Sequence, residues 1–186
     1  MKKLEGKVAL VTGASRGIGK GIAMRLAQEG ASLAISYTAH AEKAEETINE
    51  IKHYTVDALA VQADSSDVSQ IEHLVNQVVG HYGKLDILVS NAGIEYFGAL
   101  EEVRPQDFDH VFAVNTRGQF FVVQQAAKHM QRGGRIVCSS SVSATIPFAR
   151  HALYAGSKAA VEAMVKNLAL ELGPRGITIN AVAPAV

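Results

Sequence analysis

Six short apolar runs alternate with longer stretches of helical spacing, and that alternation constrains the fold more than any other feature of the chain. The runs cover 7–13, 31–37, 58–63, 85–90, 135–140 and 177–182. Each is apolar nearly throughout, the pattern of strands buried on both faces. Between them lie helical stretches at 17–30, 41–54, 68–82, 105–130 and 152–172. In 68–82, Val68, Ile71, Val75, Val78 and Tyr82 fall on one face. Pro105 suits a first helical turn, and Gly30, Gly133-Gly134 and Gly173-Pro174 stop helices. With right-handed crossovers the expected fold is α/β, a doubly wound, Rossmann-like parallel sheet that binds ligands at the carboxyl ends of its strands. No internal repeat, low-complexity tract or linker divides the chain, so 1–186 reads as one domain.

Composition narrows the partners. Lys plus Arg and Asp plus Glu both number 18, so nothing favours nucleic acid or a membrane surface. No apolar run approaches the ~20 residues of a membrane span. Lys2 and Lys3 imitate the start of a signal peptide, but Glu5 and Lys7 interrupt it, and the expected location is cytoplasmic. Cys138 is the single cysteine and reads as an inert buried thiol. The seven histidines, at 40, 53, 73, 81, 110, 129 and 151, include no pair three or four residues apart, so no metal site is expected.

The first run leads into Thr12-Gly13-Ala14-Ser15-Arg16-Gly17-Ile18-Gly19 and then a helix. Glycines there allow a tight turn and let backbone N–H groups approach a pyrophosphate at the helix N-terminus. A Gly-rich turn alone is weak evidence, but strand before and helix after is the context it needs. Further along, Tyr154 and Lys158 are four residues apart, on one helix face. A free phenol has a pKa of about 10. A nearby cation lowers such a value by roughly 1–3 units, which makes tyrosine a usable proton donor and acceptor. Ser141 follows the fifth strand and could hydrogen-bond a substrate carbonyl, with Ser139 and Ser140 as rivals. A Tyr-x-x-x-Lys alone is as readily an exposed helix pair, and Asn115 alone reads as a structural amide.

Together, Thr12-Gly13-x-x-x-Gly17-x-Gly19, Asn91-Ala92-Gly93 after the fourth run, and Ser141 with Tyr154-x-x-x-Lys158 resemble the short-chain dehydrogenase/reductase family, in its order and over nearly the whole chain. The resemblance implies a dinucleotide-binding domain that transfers a hydride between NAD(P) and a small-molecule carbonyl or secondary alcohol, assembled as a homo-oligomer. It implies that Ser141 polarises the carbonyl, Tyr154 exchanges the proton, Lys158 lowers the tyrosine pKa and binds the nicotinamide ribose, and Asn115 holds the lysine and a relaying water. Cofactor contacts are implied at Gly13, Ser15, Arg16, Gly17, Ile18 and Gly19, at Tyr37, at Asp64 and Ser65 beside the adenine, at Asn91, Ala92 and Gly93, and at Lys158 and Pro184. Asn91 reads as a sheet brace almost as well. NAD-specific enzymes place an acid after the second strand. Here Tyr37 is followed by Thr38, Ala39 and His40, and Arg16 could pair with a 2′-phosphate, so NADP(H) is expected. Segments 115–122 and 151–158 look most like NADPH-dependent reductases of polyketide or 3-oxoacyl type. Glu95, Phe97, Phe148 and His151 are candidates to face the substrate.

Two departures from the family pattern stand out. Ala185 follows Pro184 where the family usually has glycine, and the chain stops at Val186 where members continue into a substrate lid and a seventh strand. Six strands are therefore expected, with the seventh missing, the C-terminal lid absent and the sixth strand an uncovered apolar edge. The rival reading is a truncated, non-catalytic fragment that binds a dinucleotide without turnover.

Overall fold

A computed structural model describes residues 2–185. The strands are β1 (Val8–Val11), β2 (Ser32–Tyr37), β3 (Ala58–Gln62), β4 (Ile87–Ser90), β5 (Arg135–Ser139) and β6 (Thr178–Val182). The helices are α1 (Gly17–Gln28), α2 (Ala41–Lys52), α3 (Val68–Tyr82), α4 (Pro105–Phe112), α5 (Gln119–His129) and α6 (Ala152–Leu172). All strand pairs are parallel, in the order β3-β2-β1-β4-β5-β6. Val11 at the end of β1 lies opposite Ile35 of β2 and Val89 of β4. The order reverses between β1 and β4, so the crossovers leave that sheet end in opposite directions and open a crevice there.

The strand side chains divide the core by parity. Leu10, Leu88 and Ile136 pack on one face with Leu74, Val75, Val122 and Val161 from α3, α5 and α6. Ala9, Val11, Leu33, Ile35 and Val89 pack on the other with Ala23, Ala27, Ile48 and Ile51 from α1 and α2. Each large side chain buried this way stabilises the fold by roughly 1.5–3 kcal/mol. Small residues in α1 let it lie close to the sheet. The edge strands depart from the expectation of burial on both faces. In β6 only Ile179 is buried, and Ala58, Leu59 and Ala60 of β3 are half-buried, because each has a neighbour on one side only.

The helix expected over 105–130 is interrupted. Pro105 does occupy its first turn, but Ala113–Gly118 forms a π-helical stretch between α4 and α5. The register shift follows from tertiary contacts. The Asn115 side chain is pulled towards the backbone of Ile94, and the Thr116 hydroxyl donates to Ser157 O at 3.1 Å. Gly118 passes so close to Ser65 O that a Cβ could not be accommodated. Such stretches are frequent where a helix must place a functional side chain.

Candidate active site

The turn after β1 is shaped by its glycines. Gly13 and Gly17 have φ of +63° and +57°, in the region that only glycine adopts readily. A Cβ on Gly19 would stand 2.6 Å from Asn91 Nδ2 and from Gly13 O. Asn91 Nδ2 donates to Thr12 O at 3.0 Å and to Gly13 O at 3.3 Å, while Thr12 Oγ1 accepts from Asn91 N and Ala92 N. These bonds fasten the turn to the end of β4, the bracing role expected of Asn91. No side chain caps the N-terminus of α1, so its first N–H groups, with their partial positive charge, face the crevice. This bare, glycine-lined helix end fits the pyrophosphate of a dinucleotide.

The crevice has two joined halves. One, of about 390 Å³, is lined by Gly13, Ser15, Arg16, Tyr37, Asp64, Ser65 and Ala92, among others. The second, of about 180 Å³, is lined by Ile18, Glu95, Ser141, Tyr154, Lys158 and Pro184. Asn91, Gly93 and Ile94 border both. A larger groove, about 880 Å³, runs over α4, the π stretch and the start of α5 beside Met164 of α6, and borders the first half at His110.

At the second half, Lys158 is 3% exposed and its Nζ donates to Ser139 O at 2.9 Å. Gln119 Nε2 donates to the same carbonyl at 3.0 Å. Burial pulls the lysine down to about 8. Its Nζ lies 5.7 Å from the centroid of the Tyr154 ring. Tyr154 is raised above the ordinary phenol value: burial dominates, the nearby Ser141 hydroxyl works against it, and the Glu95 charge adds to it. The lowering of the tyrosine by Lys158 expected from spacing is not found: burial of the phenol sets the direction, and the ammonium is engaged by the Ser139 carbonyl. Cys138, behind them, is pushed up to about 12 by burial, as befits an inert thiol.

The three serines separate by their partners. Ser139 lends its carbonyl to Lys158, and the Ser140 hydroxyl donates to Glu162 Oε1 at 2.8 Å. Ser141 Oγ faces the cleft, accepts from Ser143 N and donates to Ser143 Oγ, both at 3.2 Å. Asn115 is fully buried. Its Oδ1 accepts from Ile94 N, and its Nδ2 donates to Ile94 O and Ser157 Oγ. A Cβ on Gly93 would meet Asn115 Oδ1 and Lys158 Nζ, each at 3.2 Å, so the amide and the ammonium back the same point of the loop.

Every cofactor residue expected from sequence lines the crevice except Gly17 and Gly19, which shape its turn. Asp64 also closes its own turn through Ser66 N and Ser66 Oγ, both at 2.8 Å. Sequence reasoning did not nominate Thr12, Ser157, Gln119, His40 or His110. The first three act through hydrogen bonds across 20 or more residues, which no local spacing betrays. His40 and His110 line the first half only because the loop after β2 and helix α4 converge there.

A family model described as short chain dehydrogenase matches residues 7–186. The chain is 50% identical over 183 residues to a versicolorin reductase of Emericella nidulans, covering 98% of this chain and 69% of that protein. It is 51% identical over 182 residues to a hydroxynaphthalene reductase of Aspergillus fumigatus, covering 98% and 67%. A short-chain dehydrogenase from Burkholderia cenocepacia, solved in complex with NADP, superposes with a TM-score of 0.96 at 46% identity, covering 98% of this chain and 75% of that one.

Proposed function

The chain belongs to the short-chain dehydrogenase/reductase family and is an oxidoreductase that moves a hydride between a nicotinamide dinucleotide and a carbonyl or secondary alcohol; from that premise we propose that it is an NADP(H)-dependent reductase of a cyclic, polyketide-type ketone, with Ser141, Tyr154, Lys158 and Asn115 as its catalytic set. The observation that carries this reading is the cleft in which Ser141 and Tyr154 meet beside Lys158, opening directly into the glycine-lined crevice. The NADP-bound relative and the names of the two reductases support the cofactor and the substrate class. So does the first half of the crevice, where Arg16 lines the wall with Tyr37 and the residues directly after β2, Thr38 and Ala39, carry no carboxylate.

The bound dinucleotide supplies the hydride. Ser141 Oγ hydrogen-bonds the substrate carbonyl oxygen and Tyr154 Oη gives that oxygen its proton, so charge developing there is neutralised in place. Lys158, drawn down to about 8 by burial, keeps its ammonium 5.7 Å from the Tyr154 ring, where it favours the phenolate left when the tyrosine gives up its proton. Asn115 fixes the loop of Gly93 and Ile94 against which both groups rest. The groove over α4 and α5, with Phe112, Phe120 and Met164 in its lining, supports assembly as a homo-oligomer.

Tyr154→Phe tests the reading. It removes one hydroxyl, so NADPH titration should be unchanged while ketone reduction falls by about 10²–10⁴-fold. Near-full turnover by this variant would overturn it. NADPH binding without turnover of any ketone by the unsubstituted protein would favour a dinucleotide-binding module instead.

A further inference from the structure

His151 is the side chain whose position the proposed reaction leaves unexplained. It is 4% exposed, and neither ring nitrogen has a hydrogen-bond partner among the described residues. Its ring is sandwiched. Phe97 stacks on one face, with centroids 4.2 Å apart and planes at 1°. Tyr154 covers the second face at 4.6 Å and 14°, and Phe148 approaches edge-on at 6.2 Å. If packing were its whole purpose, a phenylalanine would serve better, because a buried polar atom without a partner costs about 1–3 kcal/mol. Nε2 points to the reason: it lies 3.5 Å from Glu95 Oε1, close to the carboxylate but short of a hydrogen bond. Glu95 lines the same cleft as Ser141 and Tyr154, and its side chain is 60% exposed. Beside it Phe97 and Phe148 keep 61% and 51% of their surface exposed, so flat apolar faces border a carboxylate.

We propose that Glu95, steadied by His151, is a second polar anchor at the substrate end of the cleft. It accepts a hydrogen bond from a hydroxyl of a planar, hydroxylated aromatic ketone whose carbonyl lies at Ser141 and Tyr154. This names the substrate class for the reaction proposed above and rests on that reading. When a substrate excludes water, the carboxylate loses its hydration and needs donors. The ligand hydroxyl is one, and Nε2–H of His151, held in place by two stacked rings, is the other. A carboxylate so held rewards a ligand that donates and penalises an analogue that does not, since the analogue leaves it desolvated and unpaired. His151 is a positioning residue here, and Glu95 is the group that touches the ligand.

The test uses a matched pair of bicyclic aryl ketones, with and without one ring hydroxyl. Each is titrated into the protein–NADP⁺ complex and assayed for reduction with NADPH. The hydroxylated ketone should bind about 10- to 150-fold more tightly. Glu95→Gln, which can still accept through its amide oxygen, should lose part of that preference, and Glu95→Ala all of it, so that the two ketones bind alike. His151→Phe, which keeps the stacked ring, should reduce the preference; His151→Gln, which can still donate to the carboxylate, should restore some of it. Equal binding of the two ketones, or an equal loss for both in Glu95→Ala, overturns the anchor. A binding preference that persists without turnover sinks the catalytic reading and leaves the anchor standing.

Discussion

At the residue scale, the free energy stored in the site is concentrated on Lys158. Its folded pKa of about 8 lies below the ordinary 10.5, so between those values the unfolded chain binds more protons than the folded one. Stability from this group is therefore fully present above pH 10.5 and is lost as pH falls through 8, at most about 3 kcal/mol. Lys158→Met keeps the volume, removes the charge and leaves Ser139 O paired with Gln119. It should be more stable than the unsubstituted protein near pH 7, and that advantage should shrink as pH rises from 8 to 10.5. Cys138 titrates above 9 with the opposite sign, but it does so in both proteins and largely cancels in the difference. Denaturant melts of the pair across this range check the claim; a pH-independent difference would show that the lysine is not desolvated as described. The same scale carries the cofactor prediction. NADPH should bind about 10- to 150-fold more tightly than NADH, Arg16→Ala should erode the preference, and Tyr37→Asp should reverse it by meeting the 2′-phosphate with like charge. Equal affinities in calorimetric titration of the unsubstituted protein would remove the argument from Arg16 and Tyr37. The residues of this site were legible in the sequence as types and spacings. Their electrostatic state was not, since spacing puts Lys158 beside Tyr154 but says nothing of the Ser139 carbonyl that holds it or of the burial that raises the phenol.

At the element scale, the strands and helices follow from apolar runs and helix stops, and α6 spans the stretch its sequence marks, from Ala152 to Leu172. The π stretch is the element sequence reading missed, for a physical reason. Val114, Asn115, Thr116 and Gly118 are weak helix formers, but that weakness does not specify a register shift; the partners do: Ile94 from the β4 loop, Ser157 from α6 and Ser65 from the β3 loop. Gly118 is the position where that packing is least forgiving. Gly118→Ala should destabilise the fold by roughly 1–3 kcal/mol, because the obstructing atom is backbone and cannot rotate away. Gly156→Ala is the control. It lies in α6 between Tyr154 and Lys158, and its nearest neighbour would be Phe112 Cζ at 3.9 Å, so the better helix former should add about 0.5–1 kcal/mol. Chemical denaturation of the two variants should move in opposite directions. A neutral Gly118→Ala would mean that the π stretch tolerates α-helical register.

At the scale of the whole molecule, the sheet order places both halves of the crevice at one end and leaves two surfaces unlike the rest. One is β6, a sheet edge whose Val182 is exposed. The other is the groove over α4, the π stretch and the start of α5, where Phe112, Phe120, Phe121 and Met164 stand beside Gln106 and Arg117. Close by, Phe108 is half-exposed and stacks on Phe112 at 4.5 Å. Aromatic and methionine side chains gathered in this way, rimmed by polar ones, have the composition of a protein–protein interface and not of ordinary surface. A groove of this composition suits a second copy of itself, since a two-fold axis brings the same apolar patch of each chain against its counterpart. The floor of the groove includes Ala113 and Thr116, neighbours of Asn115, so covering it would also stiffen the stretch that holds the active-site loop. Sedimentation should therefore give a mass of at least twice that of one chain at micromolar concentration. Phe120→Glu places a charge in the lining and should shift the protein to monomer. Its circular dichroism should be unchanged, and its kcat should fall while its cofactor affinity holds, because the crevice itself is built within one chain. A protein that sediments as a monomer before the substitution, with full activity, would separate the groove from both assembly and catalysis.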